Sequence, residues 1–379
     1  SLVGSEMCIR DSDDMMRKLN LNQIPNKEII EDLTLKHYAV HGLGATQVCF
    51  WTKEALRGKQ VCYKQIFYGA HCSRCMQFTP CIFCQQNCLH CWRPDSLTEL
   101  IKKKFLNQVK KQKVKWEKPQ ELIKELIKQR IQQLSGFFSY VNELEAKKAL
   151  VPDHFAISLL GEPFLYPYLA ELLKVLKSNQ LISIYESIFK TGLKKIKDFS
   201  SAIEDVKKFR TIFIVTNGQE PEAMKRVLSK AKPTQLYLSV EAVEEELFKK
   251  ICRPLYKDSF DRLWVSAELL SKVKLRRVLR FTLIKGLNDS TEHLKELGNF
   301  VELMQPDWIE VKAYMWLGDS RNRLPETCMP SFAWIKQISA HLLKYLDRFK
   351  IENQYEPSRI VLLKNKASSW QDKIKGVDG

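Results

Sequence analysis

The residues with the clearest chemical potential are three cysteines on one short loop, Cys84-Gln-Gln-Asn-Cys88-Leu-His-Cys91. A C-x3-C-x2-C spacing lets three thiolates hold three irons of a 4Fe–4S cube, leaving the fourth iron open to a small chelating ligand. Enzymes that bind S-adenosylmethionine on such an iron, and cleave it to a 5′-deoxyadenosyl radical, use this open corner; an electron carrier closes its cube with a fourth cysteine. Cys81 extends the string to C-x2-C-x3-C-x2-C, which also reads as two zinc pairs. Zinc pairs on one module normally stand a dozen or more residues apart, so a four-thiolate tetrahedron has little room here. The order also differs from the ferredoxin run. The spacing favours the open cube, with Cys81 a spare thiol.

A second regularity lies upstream. Cys49, Cys62 and Cys75 are separated by twelve residues each time. Each alone reads as a buried structural cysteine; together, just before the cluster loop, they suggest a second iron–sulfur cluster with one iron unclaimed. Eight of the eleven cysteines fall between 49 and 91, leaving Cys8, Cys252 and Cys328 elsewhere. Clustered thiols, no signal peptide and no run of 18 uncharged apolar residues disfavour a secreted disulfide scaffold and a membrane-spanning chain. A reducing, cytoplasmic setting is expected.

Charge points to a partner. Sixty-one lysines and arginines against 44 acids give +17 over 379 residues, which suits a polyanion such as nucleic acid or a merely soluble basic surface. Seven lysines and no acid lie between 102 and 115, read as a solvated loop or an RNA-backbone contact.

The elements that must position these residues have an α/β texture. A helical lead-in is expected over 13–36, and an amphipathic helix after Pro119 is marked by Leu122, Ile123, Leu126, Ile127, Ile131 and Leu134. Beyond 150, buried strands are expected at 155–160, Thr211–Thr216, Gln235–Val240, 277–283 and Trp308–Ala313. Amphipathic segments at Leu169–Lys177, 222–230, 258–272 and Thr291–Met304 separate them, the alternation of a parallel sheet, open or closed into a barrel. Residues 178–207 look like an insertion.

Further motifs follow in order: Cys62-Tyr-Lys64-Gln-Ile-Phe-Tyr68-Gly69, Arg74-Cys75-Met, Thr79-Pro80, and the loop ending Cys91-Trp92-Arg93-Pro94. Then come Ser158-Leu-Leu-Gly161-Glu162-Pro163-Phe-Leu-Tyr166-Pro167, Val215-Thr216-Asn217, Gln235-Leu-Tyr-Leu-Ser239-Val-Glu-Ala242, Arg253-Pro254-Leu, Arg280-Phe-Thr282-Leu and Pro306-Asp307-Trp-Ile-Glu310-Val-Lys312. Over roughly 37–365 the chain resembles the 4-demethylwyosine synthase family, the radical S-adenosylmethionine enzymes of the wybutosine pathway of tRNA modification.

The resemblance implies an α/β fold, an incomplete (β/α)6 radical-SAM barrel with an N-terminal cysteine-rich extension and added helices. It implies a lyase that condenses N1-methylguanosine, next to the anticodon of tRNA(Phe), with pyruvate to give 4-demethylwyosine, the second step of wybutosine biosynthesis. Cys84, Cys88 and Cys91 would hold the S-adenosylmethionine cluster and Cys49, Cys62 and Cys75 an auxiliary one, making two 4Fe–4S clusters. Lys64 matches the family lysine that forms a Schiff base with pyruvate, although by itself it reads as a surface lysine. Glu162, in the Gly161-Glu162-Pro163 motif, would meet the methionine amino group; Asn217, Ser239, Glu241 and Arg280 are expected as further cofactor or substrate contacts, with Lys312 as an added anchor. Each also has a plain structural reading as turn chemistry or a snorkelling base.

The expected organisation is a lead-in at 1–36 that is partly foreign or truncated, a radical-SAM domain at 37–330 with the auxiliary segment at 45–80, and a helix and strand extension at 331–379. An electron donor such as a flavodoxin-type FMN protein or domain is expected, with no FMN on this chain, no membrane, and a monomer. The chain reads Cys72-Ser73-Arg74-Cys75 where relatives have a histidine before the arginine, with His71 nearby, and Glu241 where an aspartate is common. The other readings are a radical enzyme acting on another substrate, such as a peptide, and a zinc-containing RNA-binding module.

Overall fold

Short runs of β-branched and aromatic residues, such as Thr-Ile-Phe-Ile-Val-Thr over Thr211–Thr216, are buried on both faces in this protein. That pattern belongs to strands covered by helices on one side and by a filled interior on the other. The structure, a computed structural model, describes residues 25–192 and 199–374. Ten strands form one mixed sheet. In chain order they are β1 (Ala39–His41), β2 (Gly44–Thr46), β3 (Cys75–Thr79), β4 (His154–Ile157), β5 (Thr211–Thr216), β6 (Gln235–Val240), β7 (Arg276–Leu283), β8 (Trp308–Ala313), β9 (Phe349–Tyr355) and β10 (Ile360–Asn365). Strands β3 to β8 run parallel in sequence order. The β1–β2 hairpin extends the β3 edge and the β10–β9 pair the β8 edge, both antiparallel.

Three expected strands have the observed bounds, and the strand expected at 277–283 starts one residue earlier. The one expected at 155–160 is shorter, ending at Ile157. Ser158–Gly161 instead turns out of the sheet, with Gly161 in the left-handed region at φ +70°. Strand β3 was not anticipated: its Cys-Met-Gln-Phe-Thr sequence reads as part of the cysteine segment, and only pairing with β2 and β4 makes it a strand.

The suspected insertion is helical, Asn179–Gly192 and Ser200–Lys208, while 193–198 lie outside the described residues. Its apolar positions, Leu181, Tyr185 and Val206 among them, are fully buried, against the helices Pro119–Leu134 and Leu169–Lys177. The lysine run, read as a solvated loop or an RNA-backbone contact, is irregular only from Lys111 onward. As far as Lys110 it belongs to the helix Glu99–Lys110, capped by Thr98, because Ile101, Phe105 and Leu106 give it a buried face. Of the expected lead-in, Lys27–Leu35 is helical; Cys8 and 13–24 lie outside the described residues. No helix among the described residues is long and apolar enough to cross a membrane.

Gly161 is where the first strand-to-helix turn meets the cluster loop. A Cβ there would lie 1.9 Å from the Cys81 carbonyl oxygen, and left-handed backbone disfavours any side chain. Gly161→Ala should therefore lower stability by about 2 kcal/mol or more and reduce iron retention after anaerobic reconstitution. A denaturant midpoint and iron content equal to wild type would contradict this account.

Candidate active site

The carboxyl ends of β4 to β8 open into a cavity of about 1470 Å3, and every candidate site residue named from the sequence lines it. Parallel strands gather side chains at this end because each chain leaves its strand there, so loops from distant parts of the sequence converge.

The Cys84–Cys91 loop has little regular structure of its own and is bonded on several sides. Glu162 N donates to Phe83 O (2.7 Å), Leu255 N to Gln85 O (2.9 Å) and Leu89 N to Ile251 O (2.8 Å). Lys102, from the lysine-rich helix, donates to Gln86 O (3.0 Å) and Asn87 Oδ1 (2.6 Å). Asn217 Nδ2 lies 3.3 Å from Cys84 Sγ, a donor aimed at the sulfur. Glu162 is buried, and its carboxylate accepts from Thr216 Oγ1 (2.7 Å), Asn217 N (2.9 Å) and Phe164 N (3.1 Å). Burial nevertheless pushes its carboxyl up to about 7, while the three bonds pull it down. Glu241, also raised to about 7 by burial, sits 3.4 Å from His90 Nε2. Burial, then Arg93 and Arg323, pushes His90 down to about 4, so near neutral pH its imidazole is uncharged and the contact with Glu241 is not an ion pair.

The second cysteine trio is assembled from three elements. Cys49 precedes the helix Phe50–Leu56, its sulfur accepting from Thr52 N at 3.3 Å; Cys62 precedes the helix Tyr63–Tyr68; and Cys75 heads β3. Cys72, without a role in the sequence reading, is buried close enough to these three that their charges add to burial in pushing its thiol up. Cys252, likewise unassigned, donates its thiol to Glu241 Oε2 at 3.9 Å and lies near enough to Cys88 that the two thiols influence each other. Arg74 pairs with Asp153 (2.8 Å) and Asp205 (3.3 Å), which ties the turn before Cys75 to the supposed insertion. Beneath that turn the fully buried Arg130 donates to the carbonyls of Ala149, Ser73 and Cys75. Sequence reasoning passed over Arg130 because it is a polar position inside an amphipathic helix pattern.

Three cations share the cavity floor. Lys64 Nζ lies 5.5 Å from the ring centroids of Phe213 and Tyr237, Arg280 4.6 Å from that of Tyr237 and Lys312 5.1 Å from that of Tyr63. One carboxylate answers them. Glu310, 0% exposed, accepts from Arg280 Nε (3.1 Å), Tyr63 OH (3.1 Å) and Tyr68 OH (3.0 Å). Burial, then repulsion from Arg280, lowers Lys64, and the same two causes push Lys312 down to about 8. The sequence reading placed Glu310 in a motif and assigned it no role.

These residues fit the groups expected of them. Burial raises the Cys62 thiol to about 11 and the Cys84 thiol to about 12, so without a metal they are neutral, and binding iron is what removes their protons. Among the described residues no three His, Cys, Asp or Glu side chains stand in the geometry of a single metal ion's ligands; each trio borders the cavity. The floor's excess of positive charge suits an anionic substrate.

Residues 78–298 match the Radical SAM superfamily model, and 303–365 the model for wyosine base formation. The chain is 34% identical to the S-adenosyl-L-methionine-dependent tRNA 4-demethylwyosine synthase of Pyrococcus horikoshii, over 91% of this chain and 92% of that protein. It is 33% identical to that of Methanocaldococcus jannaschii, over 92% and 99%, and 31% to that of Mus musculus, over 89% of this chain and 41% of the longer mouse protein. A solved structure of TYW1 with a lysine–pyruvate adduct bound superposes at a TM-score of 0.71, with 28% identity over 93% of this chain and 98% of that one. With the two cysteine trios, the Lys64 floor and both family models falling in one ordered chain, the protein belongs to the S-adenosyl-L-methionine-dependent tRNA 4-demethylwyosine synthase family of radical SAM enzymes.

Proposed function

We propose that this chain condenses N1-methylguanosine beside the anticodon of tRNA(Phe) with pyruvate to form 4-demethylwyosine. The observation that carries the reading is the half-buried Lys64, two residues after Cys62, its amine set 5.5 Å from the Phe213 and Tyr237 ring centroids in one cavity with the Cys84–Cys91 loop. Cys84, Cys88 and Cys91 would hold one 4Fe–4S cluster, and Cys49, Cys62 and Cys75 a second. When bound, S-adenosylmethionine would supply a carbon-centred radical able to take hydrogen from the N-methyl group.

The chain's own residues do the rest. An amine attacks a ketone only when neutral, and burial with Arg280 nearby moves Lys64 toward that state. Arg280 and Lys312 attract the pyruvate carboxylate and turn its ketone toward Lys64, an orientation effect. Phe213 and Tyr237 keep water from the adduct. Glu162 holds the Asn217 turn, which in turn donates to the cluster loop; together with Ser239 and Glu241 these side chains would frame S-adenosylmethionine.

The six parallel strands with intervening helices support an incomplete (β/α)6 barrel, with the domain at 37–330, the auxiliary segment at 45–80 and the 331–379 extension adding β9 and β10. The +17 charge supports tRNA as cargo. A cytoplasmic monomer served by an electron donor such as a flavodoxin-type FMN protein or domain completes the reading.

An anaerobic reaction with pyruvate, S-adenosylmethionine, dithionite and methylated tRNA should give the tricyclic nucleoside by mass spectrometry; its absence would sink the reading. Lys64→Ala should retain iron and S-adenosylmethionine cleavage, yet form no product and trap no pyruvate with borohydride. Product at the wild-type level would remove the Schiff-base role. Glu310→Ala leaves Arg280 and two tyrosines facing a void and should cost about 3–5 kcal/mol in denaturant unfolding, with Glu310→Gln costing less. Equal losses for the two variants would show that the charge of Glu310 is not what holds the floor.

A further inference from the structure

The lysine-rich helix Glu99–Lys110 touches two depressions. Lys102, near its start, lines the active-site cavity. Lys110, its last residue, lines a second depression of about 340 Å3. Its remaining basic residues, Arg226, Lys230 and Arg262, come from the helices Pro221–Lys230 and Ser259–Ser271. Some lysines of this chain's helices stand beside an acid, as Lys103 beside Glu99 and Lys147 beside Glu143. Lys110, Arg226 and Lys230 have no carboxylate partner among the described residues, and all three are exposed.

The floor of this depression leads straight to the cluster loop. Tyr256, whose ring centroid lies 5.5 Å from Lys110 Nζ and 4.7 Å from the Arg262 guanidinium, donates its hydroxyl to Glu220 Oε1 at 3.0 Å. Gln85 Nε2 donates to the same oxygen at 2.7 Å. Gln85 is fully buried and is the neighbour in sequence of Cys84. Two hydrogen bonds and one peptide link therefore connect a basic surface with a cysteine of the radical loop. The pyruvate and nucleoside chemistry uses none of Lys110, Arg226, Lys230 or Tyr256.

We propose that this rim is the docking site of a small acidic one-electron donor protein, whose electron enters through Tyr256, Glu220 and Gln85. The inference rests on the Cys84–Cys91 loop carrying the S-adenosylmethionine cluster. Each turnover then needs one electron: the donor is oxidised by one, and that electron ends in the carbon–sulfur bond of the sulfonium, which breaks to methionine and a carbon-centred radical. With substrate filling the cavity, the electron has to arrive from another side, and electron transfer is fast only over a short protein path. Opposite charge speeds and orients such an encounter. RNA is the less favoured occupant, because Glu220 and Glu171 line the same depression and oppose a phosphate seated there, whereas a protein's carboxylates need reach only the rim.

The test is the double charge reversal Arg226→Glu with Lys230→Glu in the reconstituted holoprotein, with Lys110→Glu as an independent second variant. Affinity for an acidic flavodoxin should fall about tenfold or more at low ionic strength, the difference closing as salt screens the charges. S-adenosylmethionine cleavage driven by reduced flavodoxin should fall in parallel, while cleavage driven by dithionite and affinity for tRNA stay at wild-type values. Unchanged flavodoxin affinity in both variants overturns the proposal, as does lost tRNA affinity with flavodoxin binding intact, which would make the rim an RNA contact. Failure of the wild-type protein to make the tricyclic base with dithionite would strike the proposed reaction, and the flavodoxin titration would still decide the docking site.

Discussion

One buried carboxylate joins the two halves of this active site. Glu310 comes from β8, Arg280 from β7, and Tyr63 and Tyr68 from the short helix that follows Cys62; all three donors end on the two oxygens of Glu310. Desolvating an acid is costly unless its lone pairs are filled, and here the filling is supplied from both the cysteine-rich extension and the late strands. The same bonds fix Tyr63, and with it the neighbouring Lys64, over the mouth of the sheet. Because one acid faces three cations, the floor keeps a positive surplus that adds to burial in lowering the lysines and suits an anionic substrate.

The cluster loop is held by a different logic. It has almost no secondary structure, so its backbone groups are satisfied from outside: by the turn after β4, by residues 251–255, and by Lys102. A loop fixed from several independent elements cannot relax without disturbing each of them. Gly161 shows how tight this packing is, since the Cys81 carbonyl occupies the space where a side chain would begin.

The lysine-rich helix illustrates how composition misleads. Seven like charges in fourteen residues read as a solvated loop or as an RNA contact, yet Ile101, Phe105 and Leu106 make the first half a packed helix. Its lysines then have unrelated tasks. Lys102 clamps the cluster loop, Lys103 pairs with Glu99, and Lys110 overlooks the depression beside Tyr256. Residues 178–207, read as an insertion, are built into the molecule: their described part supplies buried core and, through Asp205, an anchor for Arg74.

From the sequence alone come the cysteine spacings, the strand and helix periods beyond residue 150, and the motif order that carries the family. These are legible because ligand geometry on a short loop and amphipathic packing are local properties, written within a turn or two of chain. The convergence of both trios on one cavity, the seating of Lys64 beside the Phe213 and Tyr237 rings, the burial of Arg130, the part played by Glu310, and the proximity of Cys72 and Cys252 to the presumed ligands were decided by the tertiary structure. Each depends on contacts between residues tens to hundreds of positions apart, such as Tyr63 with Glu310, and on burial that no local pattern encodes.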